Sequence, residues 1–259
     1  MTDNYEKWKK LQSDWDDDEF LKTLTPLMKL RYRLLDETAA ETIRECFKPV
    51  EAGGSRPLLL DVGCGRAEFA LFLKSSWKSG GEPWGYLGLE PSGTQLKQRE
   101  LPTLGMGFLR AAAERLPLQD MVAHGILIKE VIDHCYDPLR VFREAARLLK
   151  PGGVLVVTVT NDKSWFKRLL PSVNASRKTR QDDHLSFFGP EELEKLAREA
   201  LFDRVLVETY NYLKLPRFLE KAIGLFGSGF CRTILKFVDA LGKRLLPGLG
   251  GGIILTARK

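Results

Sequence analysis

The chain has 259 residues, long for one α/β domain and short for two ordinary ones, which favours a single large core with elaborations. Apolar residues at 44% and charged residues at 29% exclude a disordered or collagen-like chain. The formal net charge of +6 mildly favours anionic partners and does not by itself make a nucleic-acid binder. Cys46, Cys64, Cys135 and Cys231 are scattered, with no C-x-x-C pair, so neither a disulfide framework nor a zinc knuckle is expected. The N-terminal stretch is acidic and no apolar run reaches the roughly 20 residues of a spanning helix. A cytoplasmic protein with reduced thiols is the expectation.

From Leu24 to about Phe47, Leu27, Leu30, Leu34, Ala39, Ile43 and Phe47 recur at helical spacings, predicting an amphipathic helix closed by Pro49. Residues 1–50 thus read as a helical leader or lid ahead of a main domain over 51–259. Pro57 to Asp61 is a continuous apolar run ending in an acid, a buried parallel strand that feeds a helix through Gly63-Cys64-Gly65. Trp84 to Glu90 repeats the theme, with Pro91-Ser92 opening a polar helix to about Arg99. Met106 to Arg110 and Gly125 to Lys129 are the third and fourth strands. Asp137 and Pro138 then stand at the N-cap and first turn of a helix whose apolar face is Val141, Phe142, Ala145, Leu148 and Leu149, stopped by Pro151-Gly152-Gly153. Val154 to Thr160 is a fifth strand. This alternation implies right-handed crossovers and a parallel sheet covered on both faces.

The second half changes character. Asn161 to Asp183 combines Trp165 and Phe166 with six basic residues and Pro171, and reads as a long mobile insertion, the whole insertion spanning about 161–188. Gly189-Pro190 starts another helix and Arg204 to Tyr210 is a strand. Two amphipathic segments, Arg217 to Phe226 and Cys231 to Leu246, fill a second insertion over about 212–250, before a closing strand Gly252 to Ala257.

Asp61-Val62-Gly63-Cys64-Gly65 places two glycines where a backbone must turn sharply and approach a ligand. A dinucleotide fingerprint asks for a third glycine at position 68, where this chain has Glu68, a carboxylate that repels phosphate. Acids on both sides of the turn, Asp61 and Glu68, suit a cationic, amine-bearing ligand instead.

Four blocks in order carry a resemblance: Leu58 to Ala70 (LLLDVGCGRAEFA), Gly88 to Ser92 (GLEPS), Ala113 to Asp120 (AERLPLQD), and Glu130 to Val157 with its LLKPGG turn. Together they resemble the class I S-adenosylmethionine-dependent methyltransferases, in the ubiquinone-biosynthesis-like (type 11) subfamily, over about Pro57 to Phe202. The resemblance implies a Rossmann-like three-layer α/β sandwich with a mostly parallel seven-stranded sheet and a helical late insertion. It implies that Asp61, Gly63 and Gly65 border the methionine part of S-adenosyl-L-methionine and that Glu90 accepts from both ribose hydroxyls, as an acceptor-only carboxylate suits a vicinal diol. Cys64, Pro91 and Lys129 are the further cofactor contacts expected from it. Where the subfamily carries an adenine-binding Asp this chain has Ala112, so the backbone of Ala113 and Glu114, with Leu116 packing, is expected to hold adenine. His124 replaces an acid before the fourth strand and reads as a satisfied surface residue.

Lys129, Glu130, Asp133, His134 and Tyr136 follow the fourth strand, at positions that in this fold face the transferred methyl group. His134 is one candidate general base, with Asp133 beside it, and His184, in a block resembling the family's H-x-x-x-F, is the competitor. No metal is called for. Tyr5, Trp8 and Tyr32 are candidates for an aromatic lid, a role that aromatics at helical spacing fill less often than core packing. Methylation of an adenine or DNA amine is disfavoured, because Ile128-Lys129-Glu130-Val131 stands where an Asn-Pro-Pro-Tyr-like turn belongs, and no Pro-Cys turn offers a cytosine nucleophile. From Asp203 onward ten basic residues outnumber four acidic ones, interleaved with apolar residues. The 212–250 helices therefore suit an anionic membrane surface, a cap over an apolar pocket, or packing on the sheet or a second subunit. The expectation is O- or C-methylation of a small-molecule or lipid-like acceptor, in the cytoplasm or at the inner membrane face. A cofactor-binding module without catalysis, motivated by Ala112, and an RNA methyltransferase, permitted by the basic stretch Arg177 to Arg180, are the alternatives.

Overall fold

The computed structural model describes residues 24–76, 84–98, 106–169, 184–215 and 217–259. Seven strands make one sheet: β1 Leu58–Val62, β2 Gly85–Leu89, β3 Met106–Leu109, β4 Ala123–Lys129, β5 Leu149–Thr160, β6 Arg204–Tyr210 and β7 Gly252–Arg258. Their order is β3-β2-β1-β4-β5-β7-β6, with β7 antiparallel to both of its neighbours and the other pairs parallel. Chain order reverses on either side of β1 and β4, so a crevice opens at their carboxyl ends, where ligands bind in sheets of this type.

Helices cover both faces. On one side lie α1 Pro26–Ala52 and α2 Glu68–Ser76, whose Ala39, Ile43, Phe47, Phe69 and Leu73 pack on Leu59, Tyr86, Leu127, Val154 and Val156. On the other, α4 Pro138–Leu148 and α6 Pro190–Glu199 pack Phe142, Leu148, Leu193 and Ala197 on Leu60, Ile126, Ile128, Leu155, Val157 and Leu255. The short α3 Gly93–Gln98 and α5 Trp165–Leu169, with α7 Arg217–Gly224, α8 Ser228–Leu245 and a 3-10 turn over Ile132–His134, complete the described elements. Asp137 caps α4, its side chain accepting from the amide of Arg140 at 3.1 Å, and Pro138 occupies the first turn.

Several expectations change. Pro49 does not close α1, which runs through it to Ala52, because in the last turn a proline removes a single helical hydrogen bond. The helix packs fully buried Ala39, Ile43 and Phe47 on the sheet, so from Thr25 onward the anticipated leader is a layer of the core. Strand β5 begins at Leu149, because Gly152 and Gly153 still exchange backbone hydrogen bonds with Lys259 across the Pro-Gly-Gly bend. The start of the first insertion is built in: the Trp165 amide donates to Leu249 and its indole N–H to the Tyr212 carbonyl, while Phe166 is buried. Tyr5, Trp8 and the Arg177 to Arg180 stretch lie outside the described residues.

Candidate active site

The glycine turn is laced to the end of β2. The amides of Gly63 and Cys64 donate to the Leu89 carbonyl at 2.7 and 3.2 Å, and the Gly65 amide donates to Glu90 Oε2 at 3.0 Å. Glu90 Oε1 accepts from the Ser92 amide at 2.8 Å, so this buried carboxylate joins the turn to the start of α3. Gly63 has φ +75°, and a Cβ there would lie 2.3 Å from the Val131 side chain. Only glycine fits between that valine and the turn.

Gly63, Pro91, Ala113, Glu114, Val131, His134 and Cys135 line one cavity. Four of these elements of the site lie on different segments: the turn after β1, the end of β2, the loop after β3 and the loop after β4. Glu114 ties the last two together, its Oε1 accepting from the Tyr136 amide at 2.9 Å. Its buried Oε2 has no hydrogen-bond partner among the described residues, and burial raises its pKa. Asp133 Oδ1 is likewise buried without a hydrogen-bond partner. The lining is largely apolar with Glu114 as its carboxylate, which when ionised only accepts and is matched by a ligand that brings hydrogen-bond donors and positive charge. That is the character of a sulfonium nucleoside with an ammonium, a diol and an adenine amine, so the residues present fit S-adenosylmethionine.

Asp133 lies between two histidines. His184 Nε2 is 3.4 Å from Asp133 Oδ2, His134 Nε2 is 3.9 Å from Asp133 Oδ1, and the imidazoles meet edge to face at 4.8 Å. The amides of Leu185 and Ser186 both donate to the Asp133 carbonyl, which pins His184 beside the loop after β4. Burial, opposed by Asp133 and reinforced by His134, lowers the pKa of His184, leaving a neutral imidazole at neutral pH. The sequence candidates for the base thus form one cluster. The ligand atoms of Asp133, His134 and His184 lie within 4.8 Å of one another, a donor set that also suits a divalent cation.

Three expected cofactor contacts are placed elsewhere. Lys129 points to the α1 face of the sheet, where it pairs with Asp36 at 2.7 Å and lies over the Phe69 ring. Strand alternation explains this, since Leu127 faces α1 while Ile126 and Ile128 face α4 and α6. Asp61 also turns beneath the cavity wall, its carboxylate accepting from the Tyr86 hydroxyl, and burial raises its pKa to about 6. Cys64 packs its sulfur toward Gly88 under the turn. Of the two acids flanking the turn, then, Asp61 is buried behind it and Glu68 is exposed at the start of α2. The carboxylate that lines the cavity is Glu114, and Glu90 precedes the lining residue Pro91. His124 is half-buried and structural: its Nδ1 accepts from the Leu58 amide at 3.0 Å at the opposite end of the sheet.

Beside the cluster stands a polar group that pattern reading left partly unseen. Glu130 has φ +54°, and its Oε1 accepts from Thr158 Oγ1 at 3.1 Å and from the Tyr210 hydroxyl at 3.4 Å. Burial, reinforced by Asp133, raises its pKa to about 7. Tyr210 reaches it by crossing Gly252, its partner in the β6–β7 register, where a Cβ would lie 2.4 Å from the phenol ring. An aromatic opposite a glycine in paired strands was the available signal, and it requires knowing the register.

The fold and this crevice define a nucleoside-binding α/β enzyme of the methyltransferase type. Residues 60–157 match the family described as Methyltransferase domain, and the chain is an S-adenosylmethionine-dependent methyltransferase. It is similar to a ubiquinone biosynthesis O-methyltransferase of Cereibacter sphaeroides, 28% identical over 192 residues that cover 66% of this chain and 70% of the relative. A phthiotriol/phenolphthiotriol dimycocerosates methyltransferase of Mycobacterium ulcerans is 29% identical over 182 residues, 68% of this chain and 62% of the relative. Among solved structures, a SAM-dependent methyltransferase of Thermotoga maritima, described as a possible histamine N-methyltransferase, superposes with a TM-score of 0.57 at 21% identity, covering 98% of this chain and 99% of that one.

Proposed function

We propose that the enzyme methylates an oxygen or activated carbon of a small-molecule or lipid-like acceptor, with the Asp133–His134–His184 cluster taking the acceptor's proton. The observation that carries this reading is the position of His134, in the wall of the cavity formed by Gly63, Pro91 and Ala113, with Asp133 and His184 directly behind it. Bound S-adenosylmethionine supplies an electrophilic methyl group on a sulfonium. The chain then has to align the acceptor, exclude water and hold a base. Glu90 holds the ribose hydroxyls in this reading, and the backbone around Ala113 and Glu114 holds the adenine. The names of these relatives, a ubiquinone biosynthesis O-methyltransferase and a phthiotriol/phenolphthiotriol dimycocerosates methyltransferase, support a small-molecule or lipid-like acceptor here. Contact with a membrane through 212–250, from the cytoplasmic side, belongs to the same reading.

The test is methyl transfer from labelled S-adenosylmethionine by the full chain to a panel of phenolic, catecholic and long-chain hydroxylated acceptors. Product with a catechol or long-chain alcohol is expected; cofactor binding without product on any acceptor points to a module that has lost catalysis. A second reading, in which Asp133, His134 and His184 hold a divalent cation that binds the acceptor oxygen, is favoured by their convergence within 4.8 Å. Full activity after chelation excludes it.

A further inference from the structure

Helices α7 and α8 carry two apolar faces, and among the described residues one of them is packed inside the protein. In α8, Cys231 and Leu235 pack with Leu27 of α1, and Gly242 lies against the Tyr212 ring. A separate stripe, Phe230, Phe237, Leu241 and Leu245, recurs at seven, four and four residues and is exposed by 54%, 67%, 45% and 64%. At 100° per residue these four side chains share one side of the helix, turned about a quarter-turn from the buried one. Phe218, Leu225 and Phe226, on and just after α7, add to the exposed apolar surface, and the Phe226 ring lies 5.7 Å from that of Phe230. So much contiguous exposed aromatic and aliphatic surface marks a docking face.

Charge decides what docks there. The two acidic residues of these helices are turned inward: Glu220 is buried and holds Arg31 and Thr25 of the α1 end, and Asp239 accepts from the amides of Asn211 and Tyr212. Arg232 is neutralised by Glu37 and Lys243 by Glu208. Among the described side chains, the exposed cations of the two helices outside these pairs are Lys221, Lys236 and Arg244, with Arg244 beside the stripe and Lys236 farther round α8. A surface that is apolar at its centre and purely cationic in its unpaired charge repels a second copy of itself and complements anionic headgroups over acyl chains. No helix among the described residues is long and apolar enough to cross a bilayer.

We infer that the exposed face of α7–α8 docks the enzyme on an anionic lipid surface, lying in the interface with Phe218, Phe230, Phe237 and Leu241 inserted and Lys221, Lys236 and Arg244 at the headgroups. This rests on the reading of 212–250 as a membrane contact and names its face, its partner and its link to the active site. That link is α1: Arg31 binds Glu220 and the Leu213 carbonyl, Glu37 binds Arg232 through both oxygens, and the intervening Asp36 binds Lys129 at the carboxyl end of β4. A docked α7–α8 pair therefore holds the crevice at a fixed orientation to the lipid.

The experiment is flotation of the full chain with phosphatidylcholine vesicles, with and without phosphatidylglycerol, and no acceptor present. Binding only to the anionic vesicles, weakened by salt, is expected. Lys236→Ala and Arg244→Ala should each weaken it roughly five-fold, and Phe237→Asp with Leu241→Asp should abolish it while leaving calorimetric affinity for S-adenosylmethionine and turnover of a water-soluble acceptor unchanged. Absence of flotation with either vesicle overturns the inference. So does a concentration-dependent dimer that the same double substitution dissociates, which would assign the face to self-association. Flotation without methyl transfer to any acceptor would spare the docking face and refute the acceptor reading.

Discussion

Glu130 links local strain, burial and pH. Its pKa rises to about 7 from an ordinary carboxylate value, and that of Asp61 to about 6. Below the unfolded pKa both groups are protonated in either state and add nothing. As pH rises, the unfolded chain releases protons that the folded protein retains, so stability falls between about pH 4 and 7. Thermal unfolding should therefore occur at lower temperature at pH 8 than at pH 5. Glu130→Gln should flatten that slope, raising stability at pH 8 by up to about 3 kcal/mol relative to wild type. At Glu90, replacement by Ala would strip the acceptor from both the Gly65 and Ser92 amides as well as from the cofactor, whereas Glu90→Gln keeps one acceptor oxygen and is the less disruptive probe. It should weaken S-adenosylmethionine binding by about 10- to 100-fold in calorimetry, the worth of hydrogen bonds to a charged group. His184→Ala and Asp133→Asn should lower kcat by roughly 10²- to 10⁴-fold with cofactor affinity retained, the range for losing a general base or the group that orients it.

Among the elements, the turn after β1 and helix α1 carry most of the constraint. Gly63→Ala places a methyl 2.3 Å from Val131 at φ +75°, and should cost about 1–3 kcal/mol in denaturant unfolding together with loss of cofactor binding. Pairing it with Val131→Ala should restore part of the stability, since the clash would go and the dihedral strain would stay. Arg31 and Glu220 form a buried pair, exposed by 10% and 4%. Removing Arg31 alone leaves a buried carboxylate uncompensated and should cost about 3–5 kcal/mol, whereas replacing both by Met and Leu should recover most of the loss. Period alone made the strands, the Asp137 cap and the amphipathic faces of α1, α4 and α8 legible in the sequence. Helix ends were less so: Pro49 looks like a stop in one dimension, yet the packing of Phe47 on the sheet carries the helix past it.

At the scale of the molecule, the crevice is assembled from four loops at the carboxyl ends of β1 to β4, so filling it should stabilise the whole domain. S-adenosylhomocysteine at 100 times its Kd should add about 2.7 kcal/mol and raise Tm by about 5–10 °C. NADP should give no shift, because Glu114 in the cavity lining and Glu90 beside it disfavour a phosphate. The helical pair α7–α8 is attached to this domain through α1 by Arg31–Glu220 and Glu37–Arg232.

Local order was written in the chain: where the backbone must bend, which residues belong to a core, and that a glycine turn follows the first strand all depend on neighbours a few positions away. The identity of the residues sharing the cavity was not. Lys129 and Asp61 sit in the motif yet point to the α1 face, because the pleat sends alternate side chains to opposite sides and only the stacking of helices names those sides. His184 comes within 3.4 Å of Asp133, and Tyr210 within 3.4 Å of Glu130, across 51 and 80 positions of chain. Such meetings follow from strand order and register, which arise from the packing of the whole sheet and leave no trace in the spacing of any single segment.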